Sequence, residues 1–60
     1  MKDIQGQELI VNQKVATVVG DSLAICTVIG FIPNKVKIMH EINDDLKVYL
    51  KSPTQVCIVH

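Results

Sequence analysis

The sequence has 60 residues, which is enough for one small domain and too few for two. Six lysines balance six acidic residues and arginine is absent, so the basic excess typical of a nucleic-acid-binding protein is missing. Apolar residues make up 48% of the chain, and its aromatic residues are Phe31 and Tyr49. Because a small core has few inward positions, we expect part of the apolar surplus at the surface, where larger apolar patches mark protein interfaces.

The chain begins with a polar segment, residues 1–7, which we predict to be a flexible lead-in to a single domain over residues 8–60. This segment lacks the apolar stretch of a signal peptide. Elsewhere no apolar run reaches the length of about 18 residues that a membrane span requires. We therefore expect a cytoplasmic protein with no membrane contact, in which Cys26 and Cys57 are buried, reduced thiols.

Turn signals divide the remaining sequence into five β-like runs. The first run is rich in β-branched residues and ends at Gly20-Asp21-Ser22. The second is almost continuously apolar, and Gly30 within it indicates a bulge or a sharp bend. Pro33-Asn34 forms the next turn, and Ser52-Pro53-Thr54 precedes the last run. The predicted strands cover residues 8–19, 22–32, 35–41, 45–51 and 55–59.

The third and fourth runs alternate in hydropathy, which is typical of half-buried strands. In the third run, Val36 and Ile38 are expected to face the core. A turn at Asn43-Asp44-Asp45 follows, and the fourth run is predicted to face the core with Leu46, Val48 and Leu50 and the solvent with Lys47, Tyr49 and Lys51. A helix over residues 41–51 is the alternative, since Ile42, Leu46, Tyr49 and Leu50 also fit a helical stripe.

Short strands at this regular spacing predict a small barrel, because 60 residues are too few for a sandwich. The segments KVATVVG, ICTVIGFIPNKVKI and SPTQVCIV resemble small proteins of tailed bacteriophages and, more loosely, KOW-type SH3-like modules. The resemblance covers residues 14–59 and implies an all-β, five-stranded SH3-like barrel of phage origin. It also implies a host protein as partner. KOW-type modules often carry glycine where this chain has Cys26 and tend to be basic, and both departures weaken the transfer of RNA binding to this chain.

Four side chains are candidate metal ligands, but no two of them have the close spacing typical of zinc sites: Cys26, Cys57, His40 and His60. Both cysteines lie within apolar runs, which favours core packing and raises a thiol pKa rather than activating a nucleophile. A disulfide between them is disfavoured by a reducing compartment. We therefore predict no cofactor and no enzymatic activity.

The leading hypothesis is a non-enzymatic protein-interaction module that docks an apolar strand face or a sheet edge against a protein partner or a second copy. The second run supplies the apolar surplus. If Ala24, Cys26 and Val28 face inward, Ile25 and Ile29 face outward on the same strand. The predicted partner-binding residues are Ile25, Ile29, Phe31 and Met39.

The alternative hypothesis is a nucleic-acid-binding barrel. If the third and fourth strands pair, their outward side chains form a basic stripe with one aromatic ring. Acidic residues at the hairpin tip partly cancel this charge, and a solvated sheet face is the simpler interpretation. The stripe consists of Lys35, Lys37, Lys47, Tyr49 and Lys51.

Overall fold

The structure, a computed structural model, describes residues 1–59 and contains five antiparallel strands in one sheet. The strands are β1 (Lys14–Val19), β2 (Ser22–Ile32), β3 (Lys35–Ile42), β4 (Asp45–Lys51) and β5 (Val56–Ile58), with a 3₁₀ turn at Pro53–Gln55. Their order is β4-β3-β2-β1-β5, and within the described residues β4 and β5 do not pair, so the sheet is open. The predicted all-β fold with five strands is confirmed.

Two-residue turns connect the first four strands and fix their registers. In the β1–β2 turn, Gly20 has φ = 63°, and only this first central residue is left-handed, as in a type II′ turn. In the β2–β3 turn, Pro33 precedes Asn34 with φ = 70°, which is the pattern of type II. In the β3–β4 turn, Asn43 and Asp44 both have positive φ, as type I′ requires.

The bulge predicted at Gly30 is present, because the register between β2 and β3 shifts between Val28 and Gly30. Val28 lies opposite Ile38 and Gly30 lies opposite Lys37, which leaves Ile29 as the extra residue. An extra residue bends its strand and increases the local twist. The bend lets a single sheet curve over one core.

The core lies on one face of this curved sheet, which we call the inner face. Val15 pairs with Cys26 of β2 on one side and with Ile58 of β5 on the other, so three strands meet there. Thr17 is buried on the same face, and its hydroxyl donates a hydrogen bond of 2.7 Å to the Gln55 carbonyl. The buried apolar residues are Leu9, Val15, Cys26, Val28, Val36, Ile38, Val56 and Ile58.

The N-terminal segment, expected to be a flexible lead-in, is hydrogen-bonded to the sheet. Asp3 is buried, and its carboxylate accepts the N–H of Ile58 at 2.9 Å. The same carboxylate accepts the N–H groups of Gln5 and Gln7, at 3.0 and 2.8 Å. The Ile4 N–H donates to the Val56 carbonyl at 3.0 Å. Residues 3 and 4 therefore cover the outer edge of β5.

The first strand begins later than predicted. Residues 8–13 contribute one isolated bridge, Glu8 with Lys2, and a turn in which Asn12 has φ = 75°. Leu9 nevertheless enters the core. The Asn12 N–H donates to the Val28 carbonyl of β2 at 2.8 Å, and the Val28 N–H donates to the Gln13 carbonyl at 2.9 Å, so the end of this stretch is hydrogen-bonded to the sheet although it forms no strand. In residues 1–59, no helix has the length and hydropathy needed to cross a membrane.

Candidate functional site

The faces of β4 are the reverse of those predicted. Tyr49 lies opposite Ile38, a fully buried residue, and packs against the core. The three aliphatic residues of β4 point to the other face, which we call the outer face, and are half exposed or more: Leu46 61%, Val48 51% and Leu50 51%. The prediction that these three face the core is wrong, and so is the helix alternative, because β4 pairs with β3 along its whole length.

The length of one turn explains the reversal. Sequence alone gives three consecutive turn-forming residues, Asn43-Asp44-Asp45, whereas the structure uses only Asn43 and Asp44 and pairs Asp45 with Ile42. A one-residue change in hairpin register moves every side chain of a strand to the opposite face. Tyr49 then fills the core position that a leucine was expected to occupy.

The four residues predicted to bind a partner are divided by the bulge. Ile25 and Met39 lie on the outer face, opposite Ala16 and Val48 respectively, and Ile25 is well exposed. Ile29 is the bulged residue and is half-buried. Phe31 lies beyond the bulge, opposite the buried Val36, and so belongs to the inner face although its side chain is partly exposed.

The predicted basic stripe is also divided. Lys35 and Lys37 lie on the outer face, where Lys37 is opposite Leu50. Lys47 and Lys51 lie on the inner face with Tyr49, since their partners are His40 and Val36. No single face of the described structure therefore presents all five residues of the stripe.

The cysteines and histidines are not brought together either. Cys26 lies on the inner face and is buried, while Cys57 lies opposite Ala16 on the outer face and is half-buried. Both thiols are free. His40 is on β3, and His60 lies outside the described residues. Within residues 1–59 no three or more His, Cys, Asp or Glu side chains are grouped as a metal site would need.

The outer face exposes apolar side chains at both ends. At one end lies the hairpin patch, defined as Met39, Leu46, Val48 and Leu50. At the other end β1, β5 and the N-terminal segment form an open groove of about 390 Å³. Leu23, which lines this groove, is the most exposed large apolar residue of the described chain, at 72%. The groove lining includes Ile4, Ala16, Val18, Leu23, Thr54 and Cys57.

Sequence reasoning missed most of this surface. The exposure of Leu46, Val48 and Leu50 follows from the length of the β3–β4 turn. That length could have been predicted only by assigning a two-residue type I′ turn to Asn43-Asp44. The groove needs the N-terminal segment to lie against β5, and the hydrophobic pattern of the segment carries no such signal. Leu23 and Val18 form a cross-strand pair beside the β1–β2 turn, which the alternation of β1 alone could have placed outward.

Fold and surface together define a small all-β domain with a one-sided core and an apolar outer face. The chain belongs to the family described as "Domain of unknown function (DUF7205)", whose family model matches residues 1–59. The matched range includes the N-terminal segment that the structure attaches to β5. Neither the curated proteins nor the solved structures include a match to this chain.

Proposed function

We propose that this chain is a non-enzymatic protein-interaction module that binds its partner through the outer face of the sheet. The observation that carries the proposal is the exposure of aliphatic side chains at both ends of that face, the hairpin patch and the groove. Single exposed apolar residues are common on protein surfaces. Contiguous groups of them are rarer and mark binding sites.

The energetics favour a partner over solvent at this face. Each Å² of apolar surface removed from water contributes about 25 cal/mol, before the costs of association are subtracted. Leu23 and Val48 belong to opposite ends of the face, so a partner that spans it would bury both. The sequence resemblance to proteins of tailed bacteriophages supports a host protein as that partner.

The division of the lysines between two faces favours protein over nucleic acid. A groove that binds the phosphate backbone of a nucleic acid needs several basic side chains on one surface, with aromatic rings beside them on which bases can stack. Here Tyr49 is packed against the core, and the two lysines on its face are separated by the sheet from Lys35 and Lys37.

The test is capture of partners by the immobilised chain from a lysate of the host, with and without nuclease treatment, and with the Leu23→Lys variant alongside. Leu23 is exposed, so the variant is expected to fold and to lose its partner, since a charge replaces the apolar contact. Ser22→Lys is the matched control, because it adds the same charge at the neighbouring exposed residue on the other face. It should keep the partner.

Circular dichroism confirms folding of each variant. Recovery that nuclease abolishes would contradict the proposal and favour nucleic acid. Partner recovery that survives both Leu23→Lys and Val48→Lys, in folded variants, would show that the outer face is not the binding surface.

A further inference from the structure

We propose that β4 pairs with β4 of a second copy of this chain, antiparallel and about a twofold axis at Val48, to form a homodimer. The inference rests on the proposed function, because it uses the hairpin patch of the same outer face. It identifies the partner at the hairpin patch as a second copy of the chain. Its basis is the free edge of β4 together with the order of side chains along the strand.

The first observation is that β4 has an available edge. Among residues 1–59, no strand pairs with the side of β4 that faces away from β3. The other edge of the sheet is closed, since Ile4 and Asp3 bond the outward groups of Val56 and Ile58. Head-to-tail pairing of β4 with β5 is therefore blocked. Pairing of β4 with β4 of a second copy uses the free edge of both chains, so the assembly ends at two copies.

The second observation concerns which backbone groups are free. In an antiparallel ladder, alternate residues direct both N–H and C=O to one neighbour, and the residues between them direct theirs to the other side. The two-residue turn makes Ile42 and Asp45 the closing hydrogen-bonded pair. Counting from there, the groups directed away from β3 belong to Leu46, Val48 and Leu50.

The third observation is that β4 is complementary to itself. With the axis at Val48, the three residues with free backbone groups pair with each other, Val48 with Val48 and Leu46 with Leu50 of the second copy. The aliphatic side chains of both copies then form one continuous outer surface. On the inner face, Lys47 lies opposite Tyr49 of the second copy and Asp45 lies opposite Lys51, an attractive pair.

The charges also select this register. A symmetric pairing centred on Lys47 places that lysine opposite its own copy, and one centred on Tyr49 places Lys47 opposite Lys51. Like charges directly opposite each other destabilise a ladder. Lysines protect an edge strand from indiscriminate pairing. In β4 the same lysines disfavour the registers centred on Lys47 and Tyr49. A register centred on Leu46 or Leu50 pairs only three residues of each β4, whereas the one centred on Val48 pairs the whole strand.

The decisive experiment measures the molar mass of the full chain by light scattering over a concentration series. We expect a concentration-dependent dimer for the native chain and monomers for Val48→Lys and Val48→Asp, since each variant puts two like charges together on the axis. An equimolar mixture of the two variants should restore the dimer, because a Lys and an Asp then face each other. Leu23→Lys is the control and should dimerise normally.

A second pair of substitutions tests the register without altering Val48. Asp45→Lys places a lysine opposite Lys51 of the second copy, and we expect the dissociation constant to rise about tenfold over the two symmetric contacts. Adding Lys51→Asp in the same chain should restore it. Circular dichroism checks that each variant folds.

Two results would overturn the inference: a native chain that stays a monomer at about 1 mM, or folded Val48→Lys and Val48→Asp chains whose mixture does not restore the dimer. Neither result contradicts the proposed function, whose own test measures capture of a different partner and uses Leu23→Lys, a variant that leaves β4 unchanged, as its first variant. Loss of the partner in Leu23→Lys with a native monomer would leave the function standing and the homodimer refuted.

Discussion

Cys26 and Cys57 lie on the two strands that flank β1, but on opposite faces of the sheet. Cys26 is enclosed by the core, and burial raises the pKa of its thiol, an effect that the charge of Lys51 only partly offsets. Cys57 lines the open groove on the outer face. The expectation that both thiols are buried is therefore correct for Cys26 and wrong for Cys57.

We predict that a thiol reagent modifies Cys57 in the native protein and modifies Cys26 only after denaturation. The reason is access, reinforced for Cys26 by a smaller thiolate fraction. Mass spectrometry of the labelled peptides over time checks this. With Cys57→Ser the native chain should take up almost no label, and rapid native labelling of that variant would contradict the burial of Cys26.

The raised pKa of Cys26 also gives a sign to the pH dependence of stability. The Cys26 thiol is harder to ionise in the folded state than in the unfolded state. Its contribution to stability is therefore fully present below its ordinary pKa of 9.0 and is lost as the pH rises above that value. The contribution of this residue to the free energy of unfolding should thus fall as the pH rises beyond that value. Comparison of alkaline denaturation of the native chain and Cys26→Ala isolates it.

Asp3 attaches the N-terminal segment to β5. Its carboxylate accepts three backbone N–H groups, one of them the buried N–H of Ile58. We expect Asp3→Ala to lower the free energy of unfolding by about 2–3 kcal/mol, since the Ile58 N–H is left buried without its acceptor. Urea denaturation measures it.

Glu8→Ala is the matched control for Asp3→Ala. Glu8 is an acidic residue that directly follows the same segment, and its side chain makes an exposed ion pair of 3.1 Å with the N-terminal ammonium. Exposed pairs of this kind contribute less than about 1 kcal/mol. Equal effects of the two substitutions would contradict the role assigned to Asp3.

At the scale of the elements, the orientation of β4 can be tested with two neighbouring residues. Tyr49 packs against the core, while Leu50 is half exposed on the outer face. We expect Tyr49→Ala to lower the free energy of unfolding by about 3 kcal/mol and Leu50→Ala by less than about 1 kcal/mol. Denaturation of dilute samples, below the concentration of any dimer, makes the comparison. The opposite ranking would restore the orientation predicted from sequence.

Hydropathy alternation and turn residues were enough to predict where β2, β3 and β4 lie. Their bounds agree with the prediction to within one residue, because turn residues precede each of them: Gly20 before β2, Pro33 before β3 and Asn43 before β4. The face of β4 could not be predicted in the same way. Alternation with a period of two identifies the residues that share a face. Which of the two faces packs against the core depends on the length of the turn.

The N-terminal segment shows a second limit of sequence reasoning. Asp3 lies among polar residues, and its surroundings in the sequence are those of an exposed loop. Its burial depends on the N–H of Ile58, which lies at the far end of the chain. A tertiary contact of this kind leaves no local pattern, so neither the attached segment nor the groove beside it could be predicted.

For the molecule as a whole, stability depends on a core in which residues 1–59 bury eight apolar side chains, contributed by every strand except β4 and by Leu9 ahead of β1. A chain of about this length has a margin of only about 3–5 kcal/mol from its core. Any part that contributes one core side chain and several hydrogen bonds therefore carries a large share of the total. The stretch of residues 1–9 is such a part, through Leu9 and Asp3.

We predict that deletion of residues 1–9 unfolds the domain. The deletion removes Leu9 from the core, at a cost of about 2–5 kcal/mol, and exposes the edge of β5 by removing the partners of Val56 and Ile58. The combined loss exceeds the expected margin, so far-ultraviolet circular dichroism should show no cooperative thermal transition. Leu9→Ala in the full chain is the control and should remain folded with a lower midpoint. A deleted chain that melts cooperatively near the native midpoint would show that residues 1–9 lie against the sheet without stabilising it.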